Sequence, residues 1–306
     1  MPIELGLINL NNNTSYLNSV LQAIKNFNNF SEYYLEEKNS IFINNNIDKF
    51  PLSYVTHRLF THFFPSEDRK EEIYKPSGYL RVVNCNDNNY TSVYENNPTD
   101  LIQLILNKLD YESKQSNRIS KKTKQEANGI EGEDEEYEED KENLINYKKL
   151  KILGDEGNYN SIVSKNLNWY EIQEFWCSSC QKTWYKFLFN NTFKLNILET
   201  YNNKENSNNF ITIDDCLNYY EKTPKQENIY CKKCKKNSNI KIYSKINCVL
   251  KNIIFLLDRG IFEQNLINIP FKIGKTLKLD KYIEDSNKEI FELIDIVSID
   301  LGEKKI

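Results

Sequence analysis

Two pairs of cysteines, Cys177/Cys180 and Cys231/Cys234, share a two-residue spacer that lets both sulfurs of one tight turn reach a single ion. Together they supply four thiolates, the donor set of a tetrahedral zinc ribbon. Four thiolates close the coordination shell and leave no position for water, so the zinc would be structural rather than catalytic. The competing readings are two coincidental turns with reduced thiols, or a redox CxxC. A redox motif needs one pair and a thioredoxin-like context that this sequence lacks.

A second stretch able to carry chemistry runs from Gly6 to Ile24, GLINLNNNTSYLNSVLQAI. Leu17, Val20, Leu21 and Ile24 recur at i, i+3, i+4 and i+7, one apolar face of a helix. Thr14 or Ser15 is placed to cap the first free N–H groups. The asparagines before them favour a turn. A turn that delivers Ser15 to the positive end of a helix is a seat for a nucleophile, because the helix field favours its anion. The only two histidines, His57 and His62, lie five residues apart and do not share a helix face. They read as partly buried helix residues, not as a metal site.

The surrounding elements must position these groups. An aromatic-rich helical region follows from Phe27 to Tyr34, and Ser53–Phe64 predicts a buried helix. Asn96–Leu109 predicts a helix with Pro98 in its first turn and Leu101, Ile102, Ile105, Leu106 and Leu109 on its apolar stripe. From Glu112 to Asn146 a basic half runs into the acidic EGEDEEYEEDKE, too poor in apolar residues to repay its ordering entropy. This segment reads as a disordered insertion, either a solvated loop or an acidic partner-binding run. Ile162–Ile197 alternates as paired strands, with Cys177 and Cys180 on the turn between two of them. Thr212–Tyr220 predicts a short helix capped by Thr212, and Asn252–Leu257 a buried strand. Cys85, Cys216 and Cys248 read as small buried apolar residues. The class is α+β.

The 306 residues suffice for one large domain or two smaller ones. A net charge of −4 supplies no global basic field, so nucleic acid is not an expected partner. Lys232, Lys233, Lys235 and Lys236 read as a solvated turn. No apolar run approaches membrane-spanning length, so no membrane partner is expected. Seven cysteines, four of them in CxxC pairs, favour a reducing compartment, which places the protein inside the cell, in cytoplasm or nucleus.

The first stretch resembles the cysteine box of the ubiquitin-specific proteases, papain-like deubiquitinating enzymes whose pattern runs GLxNLGNTCYxNSxLQxL. Gly6, Leu7, Asn9, Leu10, Thr14, Tyr16, Asn18, Ser19, Leu21 and Gln22 fit it. Ser15 stands at the nucleophilic cysteine. Asn9 matches the oxyanion-hole asparagine but is shifted one residue from Ser15 by an extra asparagine within Asn11–Asn13. Asn96–Leu109 is similar to the family's second box, with Asn97 for its aspartate and Asp100 for its glutamate, which implies substrate-binding roles. NCVLKNIIFLLDRG, with Arg259 at the family's arginine, resembles a palm strand; Ile269–Ile283 is similar to the family's PxxLDLxxYL segment, and Phe291–Gly302 to its YELxAVVVHxG strand, where Asp300 replaces a frequent histidine.

The resemblance implies a papain-like fold. A helical thumb would span 1–111 and the charged insertion 112–147. Zinc-ribbon fingers (about 170–250) and a partial palm would lie within 148–306, with Cys177, Cys180, Cys231 and Cys234 as structural zinc ligands. The chain ends at Ile306, before the box that carries the family's histidine, so the catalytic histidine and the C-terminal part of the palm are expected to be absent. The expected function is binding of ubiquitin or ubiquitinated protein, or scaffolding, without cleavage. The alternatives are an active thiol-type deubiquitinase whose sequence is truncated or altered, and a structural component of an RNA-processing complex.

Overall fold

The computed structural model describes residues 6–65, 73–92, 96–122, 141, 143, 145, 161–204, 210–258, 269–283 and 290–292. The chain divides into two compact units. The first is Met1–Lys124 with Asn160–Val163 and Ile294–Ile306; the second is Gln125–Tyr159 with Ser164–Leu293.

The described part of the first unit is helical: α1 (Ser15–Lys25), α2 (Asn28–Leu35), α3 (Glu37–Asn44), α4 (Pro51–Phe63), α5 (Ser77–Asn86) and α6 (Pro98–Lys122). Its core is built from the periodic positions. Leu17, Leu21 and Ile24 of α1 and Leu101, Ile105 and Leu109 of α6 are all fully buried, and α6 packs against both α1 and α4. Each such side chain contributes roughly 1.5–3 kcal/mol by leaving water. Tyr34 stacks on Phe60 with ring centroids 5.7 Å apart, locking α2 onto α4.

Helix α6 runs past the boundary read from the sequence. Glu112, taken there as the first residue of a disordered insertion, is 1% exposed, and the helix continues to Lys122. An ion pair between Asp110 and Lys114 (2.8 Å) supports the next turn. Glu112 itself is held from outside the helix. Its carboxylate accepts the N–H groups of Ser53 (2.7 Å) and Leu52 (3.2 Å) in the first turn of α4. Phe50, at the N-cap of α4, has no side chain able to do so. Residues 123–140 of the charged segment lie outside the described residues.

Glu112→Ala would leave two buried N–H groups unpaired, and should lower the unfolding free energy by about 2–4 kcal/mol. Denaturant titration reads this loss. Burial holds the Glu112 pKa above the ordinary carboxylate value, against the opposing N–H donors of Ser53 and Leu52. Between the ordinary and the raised value the folded state binds the proton more tightly than the unfolded state does. The wild type should therefore lose stability as pH rises through that window, and Glu112→Gln should remove this part of the slope.

The second unit is built on β1 (Trp169–Cys177), β2 (Thr183–Asn190), β5 (Lys225–Cys231) and β6 (Lys236–Val249), an antiparallel sheet in the order β2-β1-β6-β5. Short pairs complete the described strands: β3 (Phe193–Asn196) runs parallel to β7 (Phe255–Asp258). β4 (Ile211–Thr212) pairs with β8 (Phe271–Lys272), and β9 (Thr276–Lys278) with β10 (Ile290–Glu292). Helix α8 (Ile197–Asn202) follows β3, and α9 (Ile213–Lys222) packs on β6. The expected Thr212 cap of α9 is a full capping box, reciprocated by Asp215. Trp169, Phe193, Leu195, Ile211, Leu217 and Ile246 form the core beneath it.

The structure departs from expectation at two further places. Ile162–Leu167, read as the start of a strand, is a helix, α7. Val163 and Leu167, four apart, are both fully buried while Lys165 is exposed; a strand would have buried all three together. Cys85 is exposed on α5, opposite the face carrying Tyr79, Leu80 and Val83. Cys216 is buried as expected, and Cys248 half-buried. Arg259 and Asp300 lie outside the described residues. Among the described residues no helix is long and apolar enough to cross a membrane.

Candidate functional site

The chain enters the first site as an extended segment. Leu7 bridges to Tyr74, with Ile8 N–H donating to the Tyr74 carbonyl at 3.0 Å and Tyr74 N–H to that of Gly6 at 3.2 Å. A 3-10 turn follows at Leu10–Asn12, where Asn11 (φ 52°) and Asn12 (φ 60°) are both left-handed and exposed. Asparagine tolerates this region at little cost, which is why the turn can hold two such residues without glycine. The Asn9 side-chain carbonyl accepts the N–H (2.7 Å) and hydroxyl (3.1 Å) of Thr14, whose own oxygen accepts Leu10 N–H (2.8 Å).

Thr14 was expected, with Ser15, to cap the helix. It does occupy the N-cap position, but its hydroxyl makes no cap bond and is spent on Asn9 and Leu10. Ser15 is the first residue of α1 and partly buried. The carbonyl of Asn9 is thus tied to the residue immediately before Ser15, and only its two N–H bonds remain to offer a ligand. Asn18, one turn on, braces the incoming segment by donating to the carbonyls of Ile8 (3.2 Å) and Leu7 (3.4 Å).

A loop missed by sequence reading latches over this turn. Asn11 donates to Ser92 Oγ (3.0 Å), Asn13 to the Ser92 carbonyl (3.4 Å), and the Tyr16 hydroxyl to the Thr91 carbonyl (3.1 Å). A local signal for that loop is its Asx turn, Asn89 N–H on the Asp87 carboxylate at 3.0 Å. The Tyr16 ring lies 6.2 Å from that of Tyr90. Burial, and then Asp100, push the Tyr90 hydroxyl up to about 12. Asp100 is exposed in the first turn of α6, where the helix field favours a carboxylate. Asn97 takes a local role, its side-chain carbonyl accepting Thr99 N–H at 3.0 Å as α6 begins.

Both histidines lie on α4. His57 is buried with Nδ1 donating to the Tyr34 carbonyl (2.8 Å) and Nε2 3.2 Å from the Ser40 hydroxyl. A carbonyl can only accept, so Nδ1 carries the hydrogen of that bond. His62 sits with its ring 4.9 Å from Tyr74.

The second site brings the four cysteines together. Cys177 and Cys234 sulfurs lie 3.7 Å apart, Cys180 and Cys231 sulfurs 3.8 Å, and all four lie within 4.8 Å of one another. A tetrahedron with metal–sulfur bonds of about 2.3 Å has edges of about 3.8 Å, so the donor set fits such an ion. Two matching turns build it. In each, the residue after the second cysteine is left-handed (Gln181 φ 57°, Lys235 φ 53°), and its N–H returns to the carbonyl of the first cysteine at 2.8 Å. Burial raises the Cys177 thiol, but the N–H groups of Cys180 and Ser179 outweigh it and bring the pKa down to about 6. Cys234, hydrogen-bonded first to Cys180, is held up at about 12. A dication held by the four sulfurs would displace their protons. Phe175, Ile240 and Ile242 pack around the cluster.

Against known proteins, a family model described as ubiquitin carboxyl-terminal hydrolase matches residues 5–297. Among curated protein sequences no match is found. Solved structures are similar in fold. The SAGA Ubp8/Sgf11/Sus1/Sgf73 DUB module bound to ubiquitin aldehyde gives a TM-score of 0.60 at 14% identity, over 94% of this chain and 57% of that one. A yeast SAGA DUB module with a substituted Sgf73 gives 0.58 at 15% identity, over 94% and 56%. A module with a substituted Ubp8 bound to monoubiquitin gives 0.59 at 14%, over 92% and 54%. The chain therefore spans a little over half the length of the solved chains it matches.

Proposed function

The chain belongs to the ubiquitin carboxyl-terminal hydrolase family, matched from residue 5 to residue 297, and from that premise we propose that it binds ubiquitin without cleaving it at an enzymatic pace. One observation carries this reading: the residue delivered to the positive end of α1 is Ser15, a hydroxyl where the family's chemistry uses a thiol. A helix N-terminus stabilises an anion by about 1 kcal/mol, or ~2 in favourable geometry, which moves a pKa by roughly one unit. That is enough to poise a thiol and far too little to ionise a serine hydroxyl, which depends on an adjacent base. His57 is no such base, since both its ring nitrogens are engaged within the helical core. The turn around Ser15 is nonetheless held by Asn9, Thr14 and Asn18, as a binding cleft requires.

In this reading the four-cysteine cluster holds a structural zinc. Cys177, Cys180, Cys231 and Cys234 would be its ligands, the ion would tie the tips of β1–β2 and β5–β6, and the thiolates would call for a reducing, intracellular compartment. Asn97 and Asp100 remain the candidate substrate-facing pair, with Asp100 the better placed because Asn97 is committed to its own helix start.

Calorimetric titration of the full chain with ubiquitin, alongside NMR of labelled ubiquitin, tests the binding. Saturable heat with localised shifts is expected. Absence of both at about 1 mM ubiquitin, an affinity weaker than roughly −4 kcal/mol, would overturn ubiquitin binding and leave the scaffold reading in its place.

A further inference from the structure

We propose that the tip of the four-stranded sheet, around the cysteine cluster, is a binding surface for single-stranded nucleic acid. The overall charge of −4 conceals a local concentration. The two cysteine turns, 177–183 and 231–237, contain no acidic residue, and they place Lys182, Lys232, Lys233, Lys235 and Lys236 together at one end of the sheet. All five lysines are exposed. The tertiary fold joins them, because sulfurs from both turns lie within 4.8 Å of one another.

What adjoins these lysines decides the partner. Strand alternation and register put Asn228, Tyr230, Asn237, Asn239 and Lys241 on one face, opposite to the face that carries Phe175, Ile240 and Ile242. Asn237 lies directly across from Tyr230, and Asn239 across from Asn228. Tyr230 is 56% exposed, and the three asparagines are exposed with it. Lys241 lies over the Trp176 ring at 5.4 Å, which confirms that these two share the face. From the tip inward the first carboxylate on this face is Glu174, paired with Tyr243.

An acidic peptide needs cations alone. A single strand of nucleic acid needs cations for its phosphates, an aromatic platform for a base, and neutral amides for base edges. The exposed tyrosine and the amides between lysines match the second set. An A-form or B-form duplex would hide its bases from such a platform.

The test is fluorescence anisotropy of the full, metal-loaded chain with labelled 12-nucleotide single-stranded RNA and DNA, a duplex of equal length, and polyglutamate. Binding of single strands is expected, with log affinity falling against log salt at a slope of about −3, as for about four phosphate contacts. Lys232→Glu/Lys233→Glu should weaken binding at least tenfold and flatten the slope. Tyr230→Ala should weaken it roughly tenfold, and Tyr230→Phe should restore it. Metal content and circular dichroism of each variant exclude misfolding, and Lys232→Gln/Lys233→Gln gives a milder variant should the reversal disturb the turn. The RNA and DNA arms distinguish which strand is taken. No binding at 50 mM salt, equal binding of polyglutamate or duplex, or indifference to both sets of substitutions in well-folded protein would overturn the proposal.

Discussion

Cys231→Ser is expected to abolish stoichiometric metal binding and to destabilise the second unit by more than about 4 kcal/mol, a size rare among single substitutions. Cys231 is fully buried, its sulfur 3.8 Å from that of Cys180, and it belongs to the four-sulfur cluster while its carbonyl accepts the Lys235 N–H of the turn. Structural zinc sites in small peptides contribute roughly 10–16 kcal/mol of apparent binding energy, so the loss of one thiolate in four removes several kcal/mol. Metal analysis and urea unfolding read the result, and chelation of the wild type should reproduce it. Hydrogen exchange should show the loss concentrated at the ends of β1, β2, β5 and β6. Cys85→Ser, exposed on α5 and far from any ligand role, should stay within about 0.5 kcal/mol of the wild type. A Cys231→Ser protein that keeps its metal and its unfolding midpoint would show that the four sulfurs are merely neighbours.

Ser15→Cys should gain reactivity toward an electrophile that the wild-type hydroxyl lacks. A thiol at the first residue of α1 gains from the helix field, and its anion forms near neutral pH where a hydroxyl does not. Ubiquitin bearing an electrophilic C-terminus should form a covalent adduct with Ser15→Cys and none with the wild type over the same hours. The adduct rate should rise with pH through the thiol pKa and then level off, because the thiolate is the attacking species. Denaturing electrophoresis and intact mass read both proteins. No adduct at any pH in a variant that still binds ubiquitin would mean that the cleft no longer presents residue 15. Release of free ubiquitin from a fluorogenic conjugate by the wild type, lost in Ser15→Ala, would defeat the non-cleaving reading outright.

Several features were readable before any fold was known because they depend on near neighbours. The i, i+3, i+4, i+7 stripe of α1 becomes the buried face of that helix. Thr212 and Asp215, three residues apart, become a capping box. Each CxxC spacer makes its own turn, so the four-sulfur geometry was half present in two short segments. Where reading failed, a distant group had intervened. Glu112 looked like the start of a solvated charge run because its partners, the N–H groups of Leu52 and Ser53, lie about sixty positions away. Ile162–Leu167 looked strand-like because alternation over six residues does not tell which of them will be covered.

The sequence by itself determined the family, the α+β class, the pairing of cysteines into turns, and the hydroxyl at the head of α1. Only the structure shows that two consecutive asparagines, Asn11 and Asn12, turn left-handed ahead of α1, with Asn9 bonded to Thr14 across them. It alone latched Ser92 over that turn, and gathered lysines from two turns around one cluster in a chain of net negative charge. The division has a plain cause. Helix periodicity, capping and cysteine spacing are satisfied by atoms a few bonds away, whereas a buried carboxylate, a latch or a charged patch exists only once remote segments have closed on one another.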